Sequence, residues 1–181
     1  MNPIEIIKKF YNVDSNSYKI LVTHSEAVTK KSLEVAARVP QLNPDLKFIA
    51  EAAMLHDVGI FLTDASDLGC FGDKPYICHG YLGAEILRQV GFPRHALVCE
   101  RHTGLGLSLQ DILSGNLPLP KRDMRPVSVE EKIICWADKF FSKNPESLLM
   151  EKSVEDIKAE QLKFGTEKIA IFDEYLKMFG N

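Results

Sequence analysis

The sequence predicts an all-α fold, a compact helical bundle in a single domain over residues 1–181. Three observations lead there. Apolar residues recur at three- and four-residue spacing through nearly every segment. Helix-start signals precede these runs at Asn2-Pro3-Ile4-Glu5 and Ser128-Val129-Glu130-Glu131, each read as a capping box. No stretch reads as a strand, and no repeat or low-complexity tract interrupts the pattern. A length of 181 residues, 45% hydrophobic and 26% charged, gives ample chain for one globular core.

The first helix opens at Pro3 behind its Asn2 cap. A short helix covers Ser17 to Val22, and a longer one runs from about Thr23 to Val39, ended by Pro40. The next covers about Pro44 to Asp57, with Gly59 as its stop. Residues 60–77 form a loop rich in Gly, Asp and Pro. A helix from about Ile77 ends near Gly91, and Pro93 opens the following one. Residues 103–127 form a second long irregular stretch, with a turn or two of helix over Ser108–Leu113. Ser128 starts the helix that carries Asp138. Two more helices follow, near Val154–Phe164 and Thr166–Phe179, with Gly165 between them. Long loops inside a compact domain tend to be functional.

The net charge of −3 gives no global case for nucleic-acid binding. Cys70, Cys78, Cys99 and Cys135 form no C-x-x-C pair and read as reduced thiols, which places the chain in the cytoplasm. The N-terminus does not have the basic-then-apolar order of a secretory signal, and no apolar run is long enough to span a bilayer.

Five helical segments each point a metal-binding side chain inward: His24, the pair His56-Asp57, His79, His102 and Asp138. His24 shares a face with Ala27 and Val28. His56 lines up with Ala52 and Ala53, and Asp57 with Ala53 and Met54. His79 aligns with Leu82, Gly83 and Ile86, His102 with Val98 and Cys99. Asp138 stands in the stripe Ile134, Ala137, Phe141, where an aliphatic residue is expected. One inward histidine is usually a satisfied core residue. Ionisable groups are seldom buried unless paired or metal-bound, and five such positions share one ligand chemistry. Four imidazoles and two carboxylates make a shell for one or two divalent transition-metal ions, with iron or manganese favoured over magnesium. Cys78, beside His79, reads as a small buried hydrophobe. His95 lies two turns from His102, roughly 10 Å along the helix, too far to share an ion.

The ordered set His24, His56-Asp57, Asp138, all on helices, resembles the HD-domain superfamily of metal-dependent phosphohydrolases. His56-Asp57-Val58-Gly59 is similar to its signature, and His79 and His102 resemble the two extra histidines of the binuclear branch. His79-Gly80-Tyr81-Leu82-Gly83-Ala84 and the stretch from Glu131-Lys132-Ile133-Ile134 to Ala137-Asp138-Lys139 resemble HD enzymes that split dinucleoside polyphosphates. The resemblance covers about residues 17–145, with the terminal helices flanking that core. Ile60 stands where cyclic-dinucleotide phosphodiesterases of the superfamily have a lysine, and their Gly-Tyr-Pro signature is missing. That lowers the case for such a substrate.

The resemblance implies that Asp57 bridges two ions. His24, His56 and Asp138 would complete one shell, and His79 and His102 would hold the second. His56 and Asp57 would carry the catalysis, through a hydroxide shared by the metals that attacks phosphorus in a nucleotide-type substrate. Lys121, Arg122, Arg125 and Lys139 are either ordinary solvated charges or, as a cluster, a phosphate-binding set. Arg101 falls on another face, and Asp64 reads as a loop aspartate whose only claim to proton donation is its place after the dyad. Two other functions fit the same ligands: a mixed-valent di-iron oxygenase, and a ligand-binding module without turnover. Oligomeric state is not legible.

Overall fold

The helical periodicity is realised throughout. In the computed structural model, which describes residues 1–180, the described chain folds into nine α-helices with almost no strand. They are α1 (Pro3–Ile7), α2 (Asn16–Arg38), α3 (Leu46–Leu55), α4 (His79–Gln89), α5 (Pro93–Arg101), α6 (Leu109–Ser114), α7 (Val129–Asp138), α8 (Val154–Leu162) and α9 (Thr166–Phe179).

Several boundaries differ from expectation for local reasons. The two helices expected over 17–39 are one, α2. Nothing between Asn16 and Arg38 breaks it, and Ser15 caps it by accepting from the Tyr18 N–H. At α3 the cap is Asp45, whose carboxylate accepts from the Phe48 N–H. That helix closes at Leu55, before His56. Gly59, expected as its stop, sits at φ −84° and serves another purpose described below. The loop after it contains two short antiparallel strands, β1 (Asp64–Ala65) and β2 (Cys70–Phe71), which no alternation in the sequence announced. The Ser128 hydroxyl accepts from the Glu131 N–H. Glu131 does not return the bond that a capping box needs. Its carboxylate accepts from the Val127 N–H and holds Arg101. At α1, Asn2 caps Ile4, while Glu5 turns to Lys8. The reciprocal box forms instead at Ser108 and Asp111, opening α6.

The core has two main apolar clusters. One joins α2, α3, α5 and α7 to α8 and α9 and is built around Trp136, whose ring packs against Phe140, Phe172, Tyr175 and Phe179. The other joins α1, α2, α3, α4 and α5. Leu21 belongs to the second and Val28 to the first, with His24 between them along α2. A third, small cluster under the 103–127 stretch gathers Cys78, Ile112, Leu119 and Met124. Among the described residues no helix is long and apolar enough to cross a membrane.

Candidate metal centre

The six inward residues meet in one buried cluster, none more than 6% exposed. Each sits where a helix delivers it. His24 is mid-helix on the inner face of α2, His79 is the first residue of α4, and Asp138 is the last of α7. His56 and His102 are the residues that cap the C-terminal ends of α3 and α5, and Asp57 stands in the turn that follows His56.

Small residues allow these ends to converge. A Cβ on Gly59 would lie 2.3 Å from the His79 carbonyl oxygen and 2.4 Å from the Gly83 nitrogen. A Cβ on Gly80 would lie 2.8 Å from the Cys99 carbonyl oxygen. The turn, α4 and α5 therefore touch backbone to backbone, which carries His79 and His102 to Asp57. The Tyr11 hydroxyl clamps the turn from below, donating to Val58 O and accepting from the Phe61 N–H, both at 3.1 Å.

Asp57 stands at the centre. Its Oδ1 faces His79 Nε2 at 3.3 Å and His102 Nε2 at 3.2 Å. Its Oδ2 faces His56 Nε2 at 3.2 Å and His24 Nε2 at 3.4 Å. Asp138 Oδ1 closes the second group, 3.0 Å from His24 Nε2 and 3.4 Å from His56 Nε2. Two ligand-rich groups thus share one carboxylate, an oxygen to each.

The imidazoles are oriented in advance. Nδ1 of His56 donates to Ala53 O, that of His79 to Tyr76 O, and that of His102 to Cys99 O, at 2.6–2.7 Å. In each case the acceptor lies three residues earlier. A ring that donates from Nδ1 presents Nε2 as a lone pair, the state a metal ligand needs. Nε2 atoms of His79 and His102 lie 3.0 Å apart. With both protons on Nδ1 those lone pairs repel, so the contact calls for a cation. Two nitrogens about 2.1 Å from one ion and at right angles are themselves about 3 Å apart. Asp57 Oδ1 has no hydrogen-bond partner despite the nitrogens crowding it. The donor set fits a divalent metal.

Charge supports the same fit. Burial pushes His24 and His102 down to about 4. Burial acts on His56 too, but Asp57 and Asp138 outweigh it and lift that ring to about 9, so a metal ion would displace a proton from its Nε2 on binding. Burial alone would raise both carboxyls. His56 and Lys143 nevertheless hold Asp57 well below the usual carboxylate range, and Lys139 and Lys143 do the same for Asp138. Two ionised carboxylates in a dry space need cations.

Lys143 is the side chain of the cluster that the sequence did not reveal. Its Nζ lies 2.8 Å from Asp57 Oδ2 and 3.9 Å from Asp138 Oδ1. It follows α7 in an irregular segment, where no periodicity says which way a side chain points. Lys139 also reaches the cluster, 2.7 Å from Asp138 Oδ2. The other expected phosphate binders are placed differently. Arg122 is held by Glu100 at 2.6 Å, in an acid site shared with Arg88. Arg125 is held by Asp123 at 2.6 Å, and Lys121 is exposed on the same loop. Arg101 pairs with Glu131, and Asp64 is exposed in β1. His95 stays outside both ligand groups and contacts Glu51 at 3.3 Å. The Cys78 thiol donates to Pro118 O.

Residues 21–142 match the family profile described as HD domain. An uncharacterized protein of Methanocaldococcus jannaschii is 33% identical over 121 residues, 65% of this chain and 64% of that protein. A tRNA (cytidine(56)-2'-O)-methyltransferase of Picrophilus torridus is 32% identical over 128 residues, 70% of this chain and 33% of that protein. The protein of the same name from Thermoplasma volcanium is 26% identical over 167 residues, 92% of this chain and 44% of that protein. The matched region thus spans under two thirds of each of these relatives. No solved structure matches the chain.

Proposed function

The chain belongs to the HD domain family, and from that premise we propose that it is a metal-dependent hydrolase of phosphoester or phosphoanhydride bonds, acting on a small nucleotide-type substrate. One observation carries the reading: four imidazole Nε2 atoms and two carboxylates converge in a buried cluster with two lysines at its edge. The division around Asp57 supports two ions. His24, His56 and Asp138 would hold one, His79 and His102 the other, with Asp57 common to both. Imidazole-rich ligation favours iron or manganese. When bound, such ions lower the pKa of water and draw charge from a phosphoryl oxygen.

The chain's own residues do the rest. The Nδ1 bonds to Ala53, Tyr76 and Cys99 carbonyls fix three rings before any ligand arrives, so the centre reorganises little. Asp57 and Asp138 stay ionised and supply the negative charge that retains cations. Lys143 and Lys139 are the nearest cations for phosphoryl oxygens. All four cations are paired with carboxylates, but the partners of the lysines are the proposed metal ligands Asp57 and Asp138, whereas Arg122 and Arg125 are held by Glu100 and Asp123 outside the cluster, so the arginines rank behind the lysines. The methyl transfer named in two relatives is left with those longer proteins.

The test is phosphate release by anaerobically purified protein reloaded with Mn²⁺ or Fe²⁺, across a nucleotide panel. Release without oxygen supports hydrolysis. Oxygen uptake without phosphate release would replace this reading with the oxygenase of the same ligand set.

A further inference from the structure

A cavity of about 600 Å³ opens beside the metal centre and shares His79 with it. It is bounded by the 103–107 segment, α6 and the α8–α9 hairpin. Its size is that of a small-molecule site. Inorganic phosphate or pyrophosphate would leave most of it to water. The Tyr76 ring, stacked on the His79 imidazole at 4.7 Å between centroids, stands where cavity and centre meet.

The walls decide which part of a substrate belongs there. Leu105, Leu107, Leu117 and Phe164 present apolar surface. The charged lining is acidic on balance: Asp111 and Glu167 against Lys168. The Lys168 ammonium is already committed, at 2.8 Å from Asp111 Oδ2 and 3.2 Å from Gly106 O. A phosphate is therefore unwelcome in the cavity and drawn instead to the metal side, where Lys139 and Lys143 lie. A neutral, flat, apolar group suits the cavity.

Gln161 supplies the selective contact. It lines the cavity and is only 7% exposed, yet no hydrogen bond joins its side-chain amide to another described residue. Its amide nitrogen and oxygen are not sealed off from the cavity, so a ligand there can reach both. A carboxamide donates and accepts side by side, which matches the neighbouring donor and acceptor on the edge of a heteroaromatic base.

We propose that this cavity is the subsite for the base of a nucleotide substrate, with Gln161 reading the hydrogen-bonding edge of that base. Lys168 is a positioning residue: it ties α9 to α6 and to the 103–107 segment and so holds the walls together. The assignment rests on the phosphohydrolase reading above and deepens it.

The experiment uses the full chain loaded with Mn²⁺ and compares Gln161→Leu with wild type on two substrate kinds. One is the set of common nucleoside triphosphates. The other is inorganic tripolyphosphate, which has the same anhydride bonds and no base. For the preferred nucleotide, Gln161→Leu should raise KM about tenfold or more with kcat little changed, and flatten the preference among bases. Tripolyphosphate turnover should not follow that change. Calorimetric titration with the unphosphorylated nucleoside should show binding to wild type that the variant loses. Equal effects on both substrates, or wild type cleaving tripolyphosphate as well as any nucleotide, would overturn the subsite and leave the hydrolase standing. No phosphate release from any substrate, with nucleoside binding that Gln161→Leu abolishes, would remove the hydrolase and keep the subsite. Absence of both removes both.

Discussion

Gly59→Ala tests how the metal centre is assembled. The new Cβ would meet three backbone atoms, His79 O at 2.3 Å, Gly83 N at 2.4 Å and Gly83 Cα at 2.8 Å. Ordinary van der Waals contact begins near 3.4 Å, so the turn and α4 must separate by about 1 Å, and no flexible side chain is available to yield. Overpacking of this kind costs about 1–3 kcal/mol. For a chain of this length that is a fall in Tm of roughly 2–12 °C. The separation acts along the contact that holds His79 Nε2 3.3 Å from Asp57 Oδ1, so the Oδ1 group should open while the Oδ2 group survives. Thermal denaturation combined with elemental analysis after Mn²⁺ loading reads both effects. Metal content should fall by about half. Gly91→Ala is the control, since its site is strained at φ +88° but has open space around it. It should lose about 1–2 kcal/mol of stability and keep its metal. Wild-type stability and full metal content in Gly59→Ala would refute the claim that this contact builds the site.

Asp57→Asn keeps shape and removes charge; turnover should drop by about a hundredfold or more with the helical circular dichroism spectrum retained, and near-normal turnover would take Asp57 out of the mechanism. His79→Ala or His102→Ala should halve metal content, whereas His95→Ala, outside both ligand groups, should not; retention of all metal by the first two would leave a single-ion site on His24, His56, Asp57 and Asp138. Lys143 and a metal compete for Asp57 Oδ2, so Lys143→Met should bind Mn²⁺ about tenfold more tightly by calorimetry while losing phosphate turnover, and weaker Mn²⁺ binding would show that the lysine supports the cluster. Glu100 is held below its ordinary range by Arg122 and Arg88 against the pull of burial. A depressed carboxylate stabilises above its unfolded pKa and loses that contribution as pH falls through its folded one. Glu100→Gln should therefore cost about 1–2 kcal/mol at pH 7, discounted for the partly exposed guanidiniums, and the deficit should shrink on acidification in urea melts at pH 7 and 3.5. A deficit that is constant with pH would contradict this.

The ligand cluster could be read from residue spacing because helical periodicity converts sequence distance into facing. Asp138 in an aliphatic stripe and His24 in line with Val28 needed no tertiary information. Where periodicity stops, so does the reading. Lys143 lies beyond α7 in an irregular segment, and its contact with Asp57 spans 86 positions of chain. Arg122 looked like a free cation because Glu100 sits 22 residues away on α5, and only the folded loop joins them. Gly59 shows a subtler limit. A glycine after a helix is ordinarily read as a backbone device, whereas here it is needed for the space above it, which depends on where α4 lies. The short pair of β1 and β2 is two residues per strand, below the length at which alternation can be seen.

The family match ends at residue 142, and the helical hairpin that begins at Val154 lies beyond it. That hairpin is nonetheless built into the molecule: Phe172 and Phe179 pack on Trp136, and Lys168 reaches across to Asp111 and Gly106. It also brings Gln161 and Phe164 to the cavity. The metal-binding cluster and one wall of the cavity are therefore contributed by separate stretches of chain. An engineer could graft a different hairpin onto the same bundle and reshape that wall without touching the ligand cluster, provided the aromatic seat and the lysine tether are kept.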